Sequence, residues 1–226
     1  MAIQLIRDKR FGHFFWTQFL GAFNDNLLKF AVTLAVTYND SLRGDISTGL
    51  LINLISALFI LPFFIFSATS GQLADKYDKT KVMRWAKWLE PPIVLLTGVG
   101  FALNSVWLLT FAVFLLGAQS AFFGPAKYAY LPEHLKSSEL VMANAMVETA
   151  TFMAILLGTI AAGSILSQDT GGLVVYVVCA FGMVVALLGV YSIHQAPLTE
   201  PRQADLKVNW NLFSETWFNI KAIRQI

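Results

Sequence analysis

The sequence predicts an all-α, polytopic membrane protein with six transmembrane helices, and three observations predict it. The 226 residues are 56% hydrophobic and 13% charged, with a mean hydropathy of +0.61, too apolar for a soluble domain of this size. Six apolar runs are each long enough to cross a hydrocarbon core, which takes about 20 residues. Lys and Arg fall almost entirely on one side of the map those runs define.

The runs cover 12–38, 47–70, 82–103, 107–130, 140–166 and 172–194. The first follows Arg7, Lys9 and Arg10, as a secretory leader would. It is too long for one, contains Asp25 and Lys29 and lacks a small-residue cleavage site, so an uncleaved first span is expected. A polar turn at 39–46 leads to the second run, and a basic loop at 71–81 to the third, which carries Pro91-Pro92 near its start. Asn104-Ser105 forms a tight turn before the fourth, a Pro-containing loop at 131–139 precedes the fifth, and a Gly-rich turn at 168–172 precedes the sixth. Trp16, Trp85, Trp88 and Trp107 lie near run ends, where amphipathic rings prefer the headgroup level. Fourteen Lys and Arg flank the runs on the side of the termini, against Arg43 alone on the other, so both termini are expected in the cytoplasm. Residues 1–194 thus form one bundle. Residues 195–226 read as a cytoplasmic linker: Pro197 and Pro201 punctuate a polar stretch, and from Asn211 the positions Leu212, Phe213, Trp217, Ile220 and Ile223 recur at the spacing of an interfacial amphipathic helix.

Phe23-Asn24-Asp25-Asn26-Leu27-Leu28-Lys29 sets two charges and two amides inside the first run. A charge at the bilayer centre costs about 3 kcal/mol on insertion scales, so such residues face a cavity or a partner helix. Asp25 and Lys29 are four apart, on one helical face, and are expected to neutralise each other and leave Asn24 and Asn26 for another partner. At 1.5 Å per residue Asp25 lies about 20 Å from the cytoplasmic start of its span, and Glu148 about 12 Å into the fifth. Lys127 comes near the cytoplasmic end of the fourth. Glu90, just before Pro91-Pro92, reads as the partner of Lys87 at a kinked helix start.

Other classes are excluded. The formal charge of +2 is small, and topology explains the basic residues without a nucleic acid. Cys179 is the sole cysteine, which rules out an internal disulfide or a thiolate metal site, and no metal or cofactor is called for. The chain has no G-x-S-x-G, H-E-x-x-H, Walker or His-x-x-x-x-Asp pattern, so no enzymatic activity is expected.

The loop Gly71-Gln72-Leu73-Ala74-Asp75-Lys76-Tyr77-Asp78-Lys79-Thr80-Lys81 resembles the signature loop of the major facilitator superfamily. Gly71, Leu73, Ala74, Asp75, Lys76 and Lys79 match, while Asp78 stands where that family usually has Gly. Physically, Gly71 would allow close approach of helix ends, Asp75 would pair with a cation or cap a helix, and the lysines would anchor to headgroups. Within the superfamily the chain is similar to the lysophospholipid transporters, including the transporter portion of fusions with an acyltransferase and acyl-carrier-protein synthetase. Gln18-Phe19-Leu20-Gly21-Ala22-Phe23-Asn24-Asp25-Asn26, Phe123-Gly124-Pro125-Ala126-Lys127-Tyr128, Leu131-Pro132-Glu133-His134-Leu135, Asn144-Ala145 and Glu148 carry that likeness.

The resemblance implies the amino-terminal bundle of a major facilitator fold in a bacterial inner membrane. It implies transfer of lysophospholipid, notably lysophosphatidylethanolamine, from outer to inner leaflet for reacylation, with a second six-helix half in cis or in trans and an acyltransferase as a further partner. It turns Asp25, Lys29, Glu148 and Lys127 toward substrate. Asp25 or Glu148 would receive the ammonium, Lys29 or Lys127 the phosphate, and Asn24 and Asn26 the hydroxyl and ester oxygens. Asp25 and Glu148 also suit Na⁺ or a proton, and Asp75 with Lys127 suits a cytoplasmic gate pair. Two alternatives stand beside this reading: a proton-coupled drug exporter of the same superfamily, and a non-transporting membrane module of an acyltransferase. The exporter's usual Arg in span four and Gly-Pro-x-x-Gly-Gly run in span five are both missing.

Overall fold

The computed structural model describes residues 2–167, 172–198, 205 and 206. They form a short α1 (Ala2–Arg7), then α2 (Gly12–Tyr38), α3 (Asp40–Arg43), α4 (Thr48–Lys76), α5 (Lys79–Trp88), α6 (Glu90–Ala102), α7 (Val106–His134), α8 (Ser137–Leu166) and α9 (Val174–Gln195), with no strand among the described residues. Five of these, α2, α4, α7, α8 and α9, are long and apolar enough to cross a membrane unbroken. The amphipathic helix expected from Asn211 lies outside the described residues.

The third span is not the single helix over 82–103 that its hydropathy suggests, but α5 and α6 meeting at Leu89. Pro91 and Pro92 lack the N–H groups that would bond the carbonyls of Lys87 and Trp88 in a continuous helix. The chain instead tightens, Leu89 N donating to Ala86 O at 3.2 Å, and restarts with both prolines in the first turn of α6. The two pieces add up to about 35 Å of helix, enough to complete a crossing.

Two expected loops are shorter than the sequence suggests. α4 runs on through the polar residues to Lys76, leaving Tyr77 and Asp78 as the connection. The Asp78 carboxylate accepts from Lys81 N at 2.9 Å and caps α5, which gives this aspartate a structural task. Likewise α7 continues past Pro132 to His134, and α8 begins at Ser137, where Lys136 N donates to Glu139 Oε2 at 2.8 Å. At the opposite ends of the bundle Ser47 and Ser105 cap α4 and α7.

Packing repeats after three spans. α2 lies against α8 and α9, while α7 lies against α4 and the α5–α6 pair; α6 meets α9, and α2 meets α7. Exchanging spans one to three with four to six maps these neighbours onto themselves, the arrangement of an internal structural repeat. The tightest crossings obey the same exchange. A Cβ on Gly117 of α7 would stand 2.1 Å from Phe59 O of α4, and one on Gly158 of α8 would stand 2.3 Å from Phe23 O of α2. Only glycine permits such backbone contact.

The basic end of the bundle is laced together. Tyr130 Oη donates to Arg10 O at 2.9 Å, Arg10 Nη1 donates to His134 O at 3.2 Å, and Arg10 Nη2 meets Asp8 Oδ2 at 2.5 Å. Arg84 satisfies the last carbonyls of α9, from Ile193 at 3.3 Å and His194 at 3.1 Å. Trp16, Trp85 and Trp88 project outward near this end and Trp107 at the other, as membrane-interface anchors should.

Candidate functional site

On α2, Gln18, Gly21, Asp25 and Ala22 recur at three- and four-residue steps and so share one face. That face lines a cleft of about 280 Å³ between α2, α4, α7 and α8. Across it stand Phe59 and Phe63 of α4, Gln119, Ser120, Phe123, Lys127 and Tyr128 of α7, Thr151 and Ile155 of α8, and Lys87 reaching in from α5. The cleft therefore mixes aromatic walls with a few convergent polar groups, the composition of a small-molecule site.

Asp25 is 6% exposed and occupies the middle of this wall. Its Oδ2 accepts from Ser120 Oγ at 2.5 Å, while its buried Oδ1 has no hydrogen-bond partner among the described residues. The expected ion pair with Lys29 does not form among the described residues: Asp25 turns to α7, and the Lys29 ammonium lies 4.5 Å from the centroid of the Phe59 ring, outside the cleft lining. Asn24, about 100° around the helix from Asp25, points away from the cleft altogether. Its Nδ2 donates to Glu90 Oε1 at 2.6 Å in the interior, which removes it from the substrate set. Asn26 lines the cleft, and its Nδ2 donates to Ala22 O at 2.8 Å, leaving its second N–H and its amide oxygen for a ligand.

Lys127 and Glu148 come together at 3.4 Å, and Tyr128 Oη donates to the same carboxylate oxygen, Glu148 Oε1, at 3.2 Å. Lys127 lines the cleft, whereas Glu148 is half-exposed at its edge. No Asp75–Lys127 pair forms among the described residues. Gly71 sits within α4 with open space where a side chain would go, so it does not bring helix ends together. Lys79 is fully buried and meets Glu133 Oε1 at 2.8 Å, tying α5 to the end of α7 rather than reaching headgroups. Lys76 stays at the surface turn, its ammonium 5.5 Å from the Tyr77 ring.

The expected Lys87–Glu90 pair is present at 2.6 Å, with Asn24 on the other carboxylate oxygen. Sequence reasoning counted Lys87 among the topology-setting charges at a helix start, as the partner of Glu90, and missed it as a cleft residue. The signal was available: it lies inside an apolar run, as Asp25 does. Ser120, Gln119, Gln18 and Thr151 were missed for a different reason, since lone hydroxyls and amides in apolar runs usually bond their own helix. Gln18 in fact bonds across the cleft, to Thr151 Oγ1 at 3.0 Å.

Beside the cleft an apolar groove of about 530 Å³ runs between α4, α6 and α7, walled by Phe66, Ile93, Leu96, Phe114 and Phe122. Gln119 lines both cavities.

Residues 14–225 match the family model of the Major Facilitator Superfamily. The chain is 33% identical over 199 residues to the lysophospholipid transporter LplT of Escherichia coli O1:K1 / APEC and to that of Escherichia coli O7:K1 (strain IAI39 / ExPEC), and 32% identical to that of Escherichia coli O139:H28 (strain E24377A / ETEC). Each match takes in 88% of this chain and 45% of the relative, so the chain spans a little under half the length of these relatives.

Proposed function

Because the chain belongs to the major facilitator superfamily, we propose that it forms one half of a lysophospholipid transporter, moving lysophosphatidylethanolamine and related lipids from the outer to the inner leaflet of a bacterial inner membrane for reacylation. Alternating access requires a second six-helix half, in cis or in trans, closing over the cleft from the open side of α2, α4, α7 and α8. Both termini then face the cytoplasm, where an acyltransferase with its acyl-carrier-protein synthetase consumes the product.

The observation that carries this reading is the adjacency of the two cavities, which share Gln119 in their walls. A buried carboxylate with one oxygen unpartnered among the described residues suits an ammonium. The adjoining groove is apolar and shares Gln119 with the cleft, which suits a single acyl chain. A lysophospholipid presents both features in one molecule, and the likeness to proteins named lysophospholipid transporter agrees with it. A cationic drug would satisfy Asp25 as well, but the lysines lining the cleft oppose a purely cationic cargo.

The full-length protein in proteoliposomes, offered fluorescent lysophosphatidylethanolamine or a cationic dye, tests this reading. Movement of the lysophospholipid between leaflets is expected. Transport of the dye with the lipid left in place would restore the exporter.

A further inference from the structure

Among the described residues two lysines line the cleft, and they are held differently. Lys127 sits toward the cytoplasmic end of α7 and is engaged by the half-exposed Glu148. Lys87 has a side chain only 3% exposed and is fixed from two directions. Its ammonium meets Glu90 Oε2 at 2.6 Å, and Glu90 cannot swing away, because its other oxygen takes the amide of Asn24 at 2.6 Å. The ammonium also lies 5.4 Å from the centroid of the Phe123 ring, another cleft residue.

The seat of this ammonium is made by an absent side chain. A Cβ on Gly21 would stand 2.1 Å from Lys87 Nζ, so any other residue at position 21 would push the cation out of the α2 wall. Glu90 offsets the cost of holding a charge within the bilayer. It does not use up the cation, since an ammonium has three N–H donors. Gly21 is one turn before Asp25, so the cation and the unpartnered carboxylate oxygen follow each other along α2 with an offset of about 6 Å.

We propose that Lys87, seated on Gly21 and held by Glu90 and Asn24, is the phosphate-binding residue of the cleft, working with Asp25 as the ammonium site to select a zwitterionic headgroup. The assignment rests on the lysophospholipid reading and replaces Lys29, which faces Phe59, in that role. Lys127 then serves the cytoplasmic mouth.

The test measures binding to the full-length protein in detergent for three probes: lysophosphatidylethanolamine, a monoacylglycerol with the same acyl chain and no phosphate, and glycerol phosphate with no acyl chain. Lys87→Met should weaken lysophosphatidylethanolamine at least about tenfold, the loss of one charge-assisted contact, while monoacylglycerol binding stays within about twofold. Lys87→Arg should restore most of the affinity. Gly21→Ala should reproduce the selective loss with Lys87 still in place, which a merely structural lysine would not do. Equal losses for the lysophospholipid and the monoacylglycerol, or no loss in a folded Lys87→Met protein, would overturn the proposal. If the wild type takes glycerol phosphate in a Lys87-dependent way but no lysophospholipid, the anion site stands and the lipid reading falls. If it takes none of the three, both fall.

Discussion

Asn24 and Asp25 are neighbours in sequence with separate tasks, one clamping Glu90 in the interior and the other facing the cleft. Periodicity places them on different faces but does not say which face meets the cleft, so the sequence could mark the pair as significant without dividing the work. Lys87 and Glu90 are 3% and 1% exposed, and breaking such a pair leaves a buried charge uncompensated. Glu90→Ala should therefore destabilise the protein by about 3–5 kcal/mol, read as a lower melting temperature in detergent, while Lys87→Met with Glu90→Leu should recover most of that loss. At the basic end of the bundle, the hydrogen bond from the Arg10 guanidinium holds the Asp8 carboxyl below the usual carboxylate range. A depressed folded value contributes stability above the unfolded pKa of about 3.9 and loses it as pH falls through the lower folded value. Thermal melts from pH 7 toward pH 3 should show the wild type losing its advantage over Asp8→Asn at the acid end, and parallel curves would contradict that account.

The succession of long apolar helices could be read from hydropathy, because the bilayer leaves the backbone few alternatives. The break at Leu89 was only hinted at by Pro91-Pro92, since hydropathy is blind to a missing N–H. Residues 71–81 read as a loop because their side chains are polar, yet helix α4 continues to Lys76, and polar side chains do not end a helix. Two glycine substitutions separate packing from loop roles. Gly158→Val must push α8 from the α2 backbone and should cost about 1–3 kcal/mol, seen as a depressed melting temperature. Gly71→Ala meets open space within a helix and should raise stability by about 1 kcal/mol. An unfavourable Gly71→Ala with normal Gly158→Val would reverse the account of both positions.

For the whole molecule, the three-span exchange puts α4 and α8 in equivalent places beside the cleft, and both carry outward apolar residues such as Phe64 and Phe152. The cleft opens along the rim formed by Phe63 and Ile155, where a second six-helix half is proposed to close. With Cys179 replaced by Ser, a cysteine at Phe63 or Ile155 should form a disulfide, under added oxidant, with a second cysteine introduced on the facing surface of the other half, and a cysteine at the exposed Leu95 should not. The most direct test of the central claim is leaflet-resolved translocation of lysophosphatidylethanolamine by the full-length protein carrying Asp25→Asn. This change keeps the side chain's size and its bond to Ser120 but removes the charge that faces the cleft. Translocation should be lost while folding is retained, and Lys29→Met, which removes an ammonium that lies by Phe59 outside the cleft lining, should leave it largely intact. Undiminished translocation in Asp25→Asn would contradict a substrate site built around this carboxylate.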